Sequence, residues 1–433
     1  MTNPPTPADQ RPAPAEPELD GVVLRCRGCG RTYPPALRHA CEACLGPLDV
    51  EHDRAVVAAR LSRAAVEAGP ASIWRYGAVL PARPRAGDLA PGLTPLVPAP
   101  RLAEALGVPG PLYVKDDTRN PTNSFKDRVV AVALARARAF GVRTVACAST
   151  GNLAGATAAA AAAQGLRCVV VIPGDLEPGK VAGAAVHGAT VVAVQGSYDQ
   201  ANRLSAQAAE AFGWGFVNVN LRPWYAEGSK TVGLEVAEQL GWRLPDHVIV
   251  PIASGALLTK VHQGFGTLVG HGLVPEHHAR VHGAQSLGCA PVATAFAAGS
   301  DEVQPVRPSG IVKSLAIGDP ADGPEALAVI RSTGGRCEAV PDEEVVDAIR
   351  VLARTTGIFG ETAAGVTVAT LARLARAGVL APGERVVALV TGHGLKTREA
   401  LEGHLEAPVA VRPNIDALEV SLGARDPALV ASG

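Results

Sequence analysis

Aromatic side chains are scarce in this 433-residue chain, at 4%. An excess of one charge is missing as well: 40 Lys and Arg stand against 41 Asp and Glu, a formal net charge of −1. Without a global basic excess the chain lacks the electrostatic footprint that holds nucleic acid or an anionic membrane, so neither is an expected partner. No apolar run reaches about eighteen residues, so no membrane-crossing helix is expected. No signal-peptide pattern opens the chain. Residues 1–20, MTNPPTPADQRPAPAEPELD, hold six prolines and four acidic residues around no apolar core. They read as a disordered tail, and the chain reads as cytoplasmic. No internal repeat of roughly 20–50 residues is visible.

What is present is a core. Hydrophobic residues make up 47% of the chain, which excludes a disordered protein and a small disulfide scaffold. The length leaves room for two or three domains. With 47 Gly and 35 Pro, many turns join short elements.

From about Leu112 apolar runs alternate with helical ones. VRTVACAS (142–149), RCVVVIP (167–173), GATVVAVQG (188–196), GFVNVN (215–220), HVIVPIA (247–253), RVHGAQS (280–286) and ERVVALVTG (384–392) read as strands. DQANRLSAQAAEAF (199–212) and the stretch from Ser229 to Leu240 read as helices, as does the Ala-rich stretch from Leu153. Continuous apolar strands between helices predict an α/β fold whose parallel sheets are covered on both faces. About eight strands with a break in order near residue 250 predict more than one sheet. The boundaries expected are a tail over 1–20, a compact unit over 21–50, a connecting region over 51–105, α/β domains over 106–250 and 251–410, and a tail over 411–433. The connecting region reads as helical near DRAVVAARLSRAAVEAG and is proline-rich from Pro81 to Pro100.

Eight cysteines divide unevenly. Cys147, Cys168, Cys289 and Cys337 lie in apolar segments and read as small buried hydrophobes. Cys26, Cys29, Cys41 and Cys44 form two C-x₂-C pairs with eleven residues between them. Four thiolates satisfy a tetrahedral Zn²⁺ and leave no open position, so the pattern predicts a structural zinc-ribbon-like unit. A ribbon that has lost its metal, a redox pair, and substitution of one ligand by His39 are the alternatives.

In DDTRNPTNSFKDR (116–128), Asn120-Pro121 and Asn123-Ser124 are turn chemistry, and Lys126 falls where the turn opens a helix. A helix N-terminus lowers a nearby ammonium's pKa and helps make a lysine nucleophilic. By itself such a lysine reads as a solvated surface cation paired with Asp127. Three loops stand with it: STGN (149–152), PIASGALLTK (251–260) and VTGHG (390–394) each follow a strand. Ligands of open α/β sheets bind beyond the carboxyl ends of strands, and small residues let a phosphate approach backbone amides.

These segments, with NLRPWYAEGSKT (220–231), KSLAIGDPADG (313–323), GIFGETAAGV (357–366) and TGHGLKT (391–397), resemble threonine synthase, of the fold type II, tryptophan-synthase-β-like pyridoxal-phosphate enzymes. The resemblance runs from the cysteines to about residue 400. It implies two parallel-sheet α/β domains, the first with the cofactor lysine and the second with the phosphate loop, and a homodimer. It implies that Lys126 binds pyridoxal 5'-phosphate covalently, that Phe125 packs beside the ring and that Asn152 hydrogen-bonds the phenolic oxygen. Ala253, Ser254, Gly255, Ala256 and Leu257 would hold the cofactor phosphate through backbone N–H groups; this loop is less glycine-rich than is common in the family. Thr391 would meet the pyridine nitrogen. Ser149, Thr150 and Gly151 would hold the substrate carboxylate. Arg222, Ser229 and Lys230 are candidates for a substrate phosphate, because a phosphate ester needs a cationic clamp. Glu361 and Thr362 are weaker candidates for the lining, and Asn218 and Asn220 read as turn residues. The implied reaction turns O-phospho-L-homoserine and water into L-threonine and phosphate. Its rivals are β-replacement on O-phosphoserine as in cysteate synthases, a specialised-metabolism paralogue on another phosphorylated amino acid, threonine or serine dehydration, and a non-catalytic cofactor-binding protein.

Overall fold

The computed structural model describes residues 21–149, 151–173, 178–195, 198–276, 278–426 and 429–430. The expected tail over 1–20 lies outside these. The chain divides into two compact units, one ending at Lys396 and one beginning at Thr397. The second contains a short helix, Ile415–Gly423, whose N-cap Asn414 accepts from the Ala417 N–H at 2.8 Å.

The first unit carries three sheets. Val22–Cys26 lies between Thr32–Tyr33 and Leu48–His52 in a small antiparallel sheet made by the four-cysteine segment. A six-stranded sheet runs in the order Cys337–Val340, Arg280–Ser286, His247–Pro251, Val386–Val390, Leu112–Asp116, Leu96–Pro98. All its neighbours are parallel except the last pair. A four-stranded parallel sheet runs Thr190–Val194, Arg167–Pro173, Thr144–Ala148, Gly215–Phe216. HVIVP, VVALV and TVACA are buried at every position, as strands covered on both faces must be. The α/β architecture with more than one parallel sheet therefore follows the apolar pattern. The six- and four-stranded sheets interleave along the chain: Leu112–Asp116 pairs with Val386–Val390, while the four-stranded sheet is built from segments between them.

Three local differences have physical causes. GFVNVN is strand only at Gly215–Phe216, because the Asn220 side chain folds back, accepting from Phe216 N–H at 2.8 Å and donating to Trp214 C=O at 2.9 Å. The helix expected from Ser229 begins at Arg222, with Pro223 in its first turn, where a missing N–H costs nothing. The helical reading near residue 53 resolves into Arg54–Ala58 and Arg63–Glu67, the second restarted by a Ser62 cap. Among the described residues no helix is long and apolar enough to cross a membrane.

Candidate active site

Four loops leave the carboxyl ends of parallel strands; three are joined by hydrogen bonds, and the fourth is tied through Asp322 to Arg222. The turn after Leu112–Asp116 delivers Lys126, first residue of the helix Lys126–Ala139. Asn123 adopts a left-handed φ of 61°, which a short polar side chain tolerates. The turn is stitched to the loop after Val386–Val390: Phe125 N–H donates to Thr391 C=O at 2.8 Å, His393 N–H to Asn123 C=O at 3.0 Å, and Ser124 bridges Gly392.

Asp127 does not pair with the lysine. It is buried and accepts from the Thr122 N–H and hydroxyl, both at 2.8 Å, and burial pushes its carboxyl up despite those bonds. Lys126 is half-buried; its Nζ donates to the Tyr225 hydroxyl at 3.0 Å and lies 5.2 Å from the Phe125 ring centre. Tyr225 is one turn into the helix Arg222–Gln239. That helix sits against the lysine helix because residue 228 is glycine, where a Cβ would lie 2.5 Å from Arg128 C=O.

The loop after Thr144–Ala148 carries Ser149 and Gly151 and opens the helix Asn152–Gln164. Thr150 lies outside the described residues. Asn218 secures the strand end, accepting from Ala148 N–H at 3.2 Å. Asn152 Nδ2 donates to Glu361 Oε2 at 2.8 Å, and Thr391 Oγ1 to Glu361 Oε1 at 3.4 Å. Glu361 is 2% exposed. Burial pushes its carboxyl up, against the Asn152 bond and the Lys396 and Lys126 charges. Gly392 leaves room for it, since a Cβ there would lie 2.6 Å from that carboxylate.

The loop after His247–Pro251 holds Ala253, Ser254 and Gly255, and the helix Ala256–Gly270 follows with Leu257 as its second residue. Gly255 has a φ of 95°, and a Cβ on it would lie 2.4 Å from Asp322 C=O. Asp322 N–H donates to Ser254 C=O at 2.8 Å. The first N–H groups of a helix lack intrahelical acceptors and favour an anion. A cradle that a single methyl would fill, at the head of a long helix and linked through Asp322 and Arg222 to the helix whose Tyr225 meets Lys126, fits a phosphorylated aldehyde cofactor.

The structure brings Lys126, Phe125, Asn152 and Thr391 together, and it turns Lys230 away from the other candidates for a substrate phosphate. Arg222 Nη2 donates to Asp322 Oδ2 at 2.6 Å, beside the glycine cradle. Ser229 is buried, one turn beyond Tyr225, and its hydroxyl has no partner among the described residues. Lys230 turns the other way, to Glu227 at 2.5 Å, in a buried group where Lys260 also binds Glu227 at 2.7 Å. Burial alone would raise Glu227, and the two ammonium groups instead hold it well below the usual carboxylate range. Tyr225 and Asp322 join the site without a motif to mark them. The first stands three residues after Arg222, on the same helical face as Ser229; the second carries no spacing signal at all.

The four thiol sulfurs lie within 4.8 Å of one another, and this is the one such ligand group among the described residues; His39 is not part of it. Cys41 accepts from the Tyr33 hydroxyl at 3.0 Å, and this bond, with the Ala43 and Cys44 amides, brings its thiol down to about 6. Against the Gly46 amide, the neighbouring sulfurs of Cys26 and Cys29 push the Cys44 thiol up to about 12, so it is the clustering of four sulfurs, and not any one thiolate, that suits a closed tetrahedral metal site.

A family model described as pyridoxal-phosphate dependent enzyme matches residues 88–392. A threonine synthase of Methanocaldococcus jannaschii is 36% identical over 403 residues, covering 92% of this chain and 98% of that protein. One of Methanosarcina acetivorans is 35% identical over 402 residues, with the same coverage of 92% and 98%. Among solved structures, the processed form of threonine deaminase isoform 2 from Solanum lycopersicum superposes with a TM-score of 0.63 at 20% identity, over 81% of this chain and 88% of that one.

Proposed function

We propose a reaction for this chain from one premise: it belongs to the pyridoxal-phosphate dependent enzymes and, within them, to the threonine synthases. It is a lyase that converts O-phospho-L-homoserine and water to L-threonine and phosphate. The bound cofactor supplies an electron sink beside the carbons that must lose protons.

Lys126 Nζ holds the cofactor and carries the proton taken from the substrate Cα. Its bond to the Tyr225 hydroxyl supports this role, since it gives the amine a partner that can both donate and accept. Phe125 packs beside the cofactor ring, Asn152 donates to its phenolic oxygen, and Thr391 meets its ring nitrogen. A neutral hydroxyl cannot keep that nitrogen protonated as a carboxylate would, which leaves more of the proton handling to Lys126. The amides from Ala253 to Leu257 take the cofactor phosphate. Ser149, Thr150 and Gly151 take the substrate carboxylate. Arg222, with the Ser229 hydroxyl, takes the substrate phosphate: after Cα and Cβ have each lost a proton, phosphate leaves Cγ with the C–O bonding electrons, Cγ then gains a proton to become a methyl group, water adds its oxygen to Cβ and gives up a proton, and Cα is reprotonated. Lys230 has no part in this reading, because Glu227 occupies its ammonium.

The observation that carries the reading is the placement of Lys126 at a strand-end turn, facing Tyr225 and turned from Asp127. The test is phosphate release with identified products from phosphohomoserine and from phosphoserine. Threonine from the first is expected, and loss of turnover and of the borohydride-trapped cofactor adduct in Lys126→Ala. Release from phosphoserine alone would assign the chain to β-replacement, and release from neither by cofactor-loaded protein to a binding role.

Cys26, Cys29, Cys41 and Cys44 are assigned to one structural Zn²⁺, supported by the sulfur cluster. Emission spectrometry is expected to find one zinc per chain, lost in Cys41→Ser; full-length holoprotein without zinc sets this aside. On family grounds the working unit is a homodimer in the cytoplasm, checked by sedimentation and fractionation.

A further inference from the structure

We propose that Arg27, inside the four-cysteine unit, is a positioning residue for the substrate phosphate, acting through Asp322 on Arg222. This rests on the reading of Arg222 as the phosphate clamp.

Arg27 lies between Cys26 and Cys29 and reaches across 295 residues of sequence. Its Nη1 donates to Asp322 Oδ1 at 2.7 Å and lies 3.3 Å from Glu325 Oε1. Its Nε and Nη2 grip Asp49, the latter at 2.9 Å. The other oxygen of Asp322 accepts from Arg222 Nη2 at 2.6 Å. The Asp322 side chain is 2% exposed and that of Arg222 25%. One buried carboxylate thus lies between two guanidinium groups, one oxygen for each.

The division has a chemical consequence. A carboxylate with both oxygens free takes an arginine in a two-bond fork. Arg27 occupies Oδ1, so Arg222 is held by a single nitrogen, and the rest of its five donors stay available for a phosphate. Asp49 and Glu325 offset Arg27 and Asp322 offsets Arg222, so what Arg222 brings to a phosphate is its unused donors rather than an excess of charge. The same Asp322 closes onto the Ser254–Gly255 loop through its backbone, which sets Arg222 at a fixed place beside the cofactor cradle. Loss of Arg27 frees Oδ1, and Arg222 collapses onto Asp322 as a closed pair.

The experiment uses full-length, cofactor-loaded enzyme. It reads KM and kcat for phosphohomoserine and the dissociation constant of inorganic phosphate, in Arg27→Ala, Arg27→Lys, Arg222→Ala and the Arg27→Ala/Arg222→Ala double variant. Arg27→Ala is expected to raise KM and the phosphate constant by roughly ten-fold, the scale of one hydrogen bond to a charged group, with kcat within about two-fold. Arg27→Lys keeps one donor for Asp322 and gives a smaller rise; it serves alone if Arg27→Ala does not fold. In the Arg222→Ala background the further loss of Arg27 is expected to change neither constant. Unchanged constants in Arg27→Ala and Arg27→Lys, or an undiminished effect in the double variant, overturn the proposal while a weakened Arg222→Ala leaves the clamp standing. Unchanged phosphate affinity in Arg222→Ala overturns the clamp itself and this proposal with it.

Discussion

Asn152 Nδ2 and Glu361 Oε2, 2.8 Å apart, join the helix that follows Thr144–Ala148 of the four-stranded sheet to the start of Thr362–Arg376, packed on the six-stranded sheet. The acceptor is a buried carboxyl whose ionisation is opposed by its surroundings. Its folded pKa lies above the unfolded value, so its stabilising contribution is full at acid pH and is lost as pH rises through the raised value. Glu361→Gln keeps the shape without the charge. The expected result is a higher Tm than wild type at neutral pH, by roughly 1–2 °C for each kcal/mol recovered in a chain this long, with the gap closing as pH falls toward about 4.5. A Tm difference that is flat from pH 4 to 8 would contradict the buried-charge account.

Tyr225 gives the next prediction. Tyr225→Phe keeps the ring beside Lys126 and removes only the hydroxyl. If that oxygen helps move the lysine's proton, kcat falls by about 100-fold, the low end for a general acid–base group, with KM little changed and the cofactor absorbance intact. Steady-state kinetics with a visible spectrum decides it. A kcat within about two-fold of wild type would make Tyr225 a packing residue.

What the sequence made legible had a local signature. The lysine turn, STGN and the 251–260 loop each sit where an apolar strand hands over to a helix, and turn chemistry marks that point. The two C-x₂-C pairs were readable by spacing for the same reason. Pairings between distant segments had no such mark. Arg222 with Asp322 and Arg27 with Asp322 are contacts across 100 and 295 residues, set by how the sheets interleave. Lys230 shows the converse. It sits one residue from Ser229 on a helix, and that step of about 100° turns it from the Tyr225 side toward Glu227 and Lys260. A motif read as a string cannot see that rotation.

Behind the site, Arg128 is fully buried and binds Asp117, Thr94 and Glu235, while Lys115 donates to Glu235 at 2.6 Å and to Gln239 at 2.9 Å. Burial would raise Glu235, but Arg128 and Lys115 together bring it down to about 2. A depressed carboxyl gives stability that is present above its unfolded pKa and lost as pH falls from about 4.5 toward 2. Glu235→Gln strands a buried ammonium and part of a guanidinium, and is expected to cost about 3–5 kcal/mol at pH 7. Urea unfolding at pH 7 and at pH 3 checks it: the two proteins should differ less at the lower pH. An equal difference at both would place the loss in packing rather than charge.

At Gly255 the fold meets the turn assigned to the cofactor phosphate. Its φ of 95° is in the left-handed range, which costs an L-residue about 1–2 kcal/mol. The space is closed as well: a Cβ would meet Asp322 C=O at 2.4 Å, and backbone cannot swing aside as a side-chain tip can. Gly255→Ala must therefore displace either the first turn of Ala256–Gly270 or the Asp322 backbone that holds Ser254. Either shift moves the amides assigned to the cofactor phosphate. Two constants follow it. The cofactor's dissociation constant, titrated by absorbance, is expected to rise at least ten-fold, because several hydrogen bonds to one anion depend on a common backbone position. The dissociation constant of pyridoxal, the same aldehyde without its phosphate, is expected to change little, since Lys126 lies on a different loop. Equal weakening of both ligands would mean that the substitution had disturbed the whole cleft, and the assignment of the phosphate to this turn would fall.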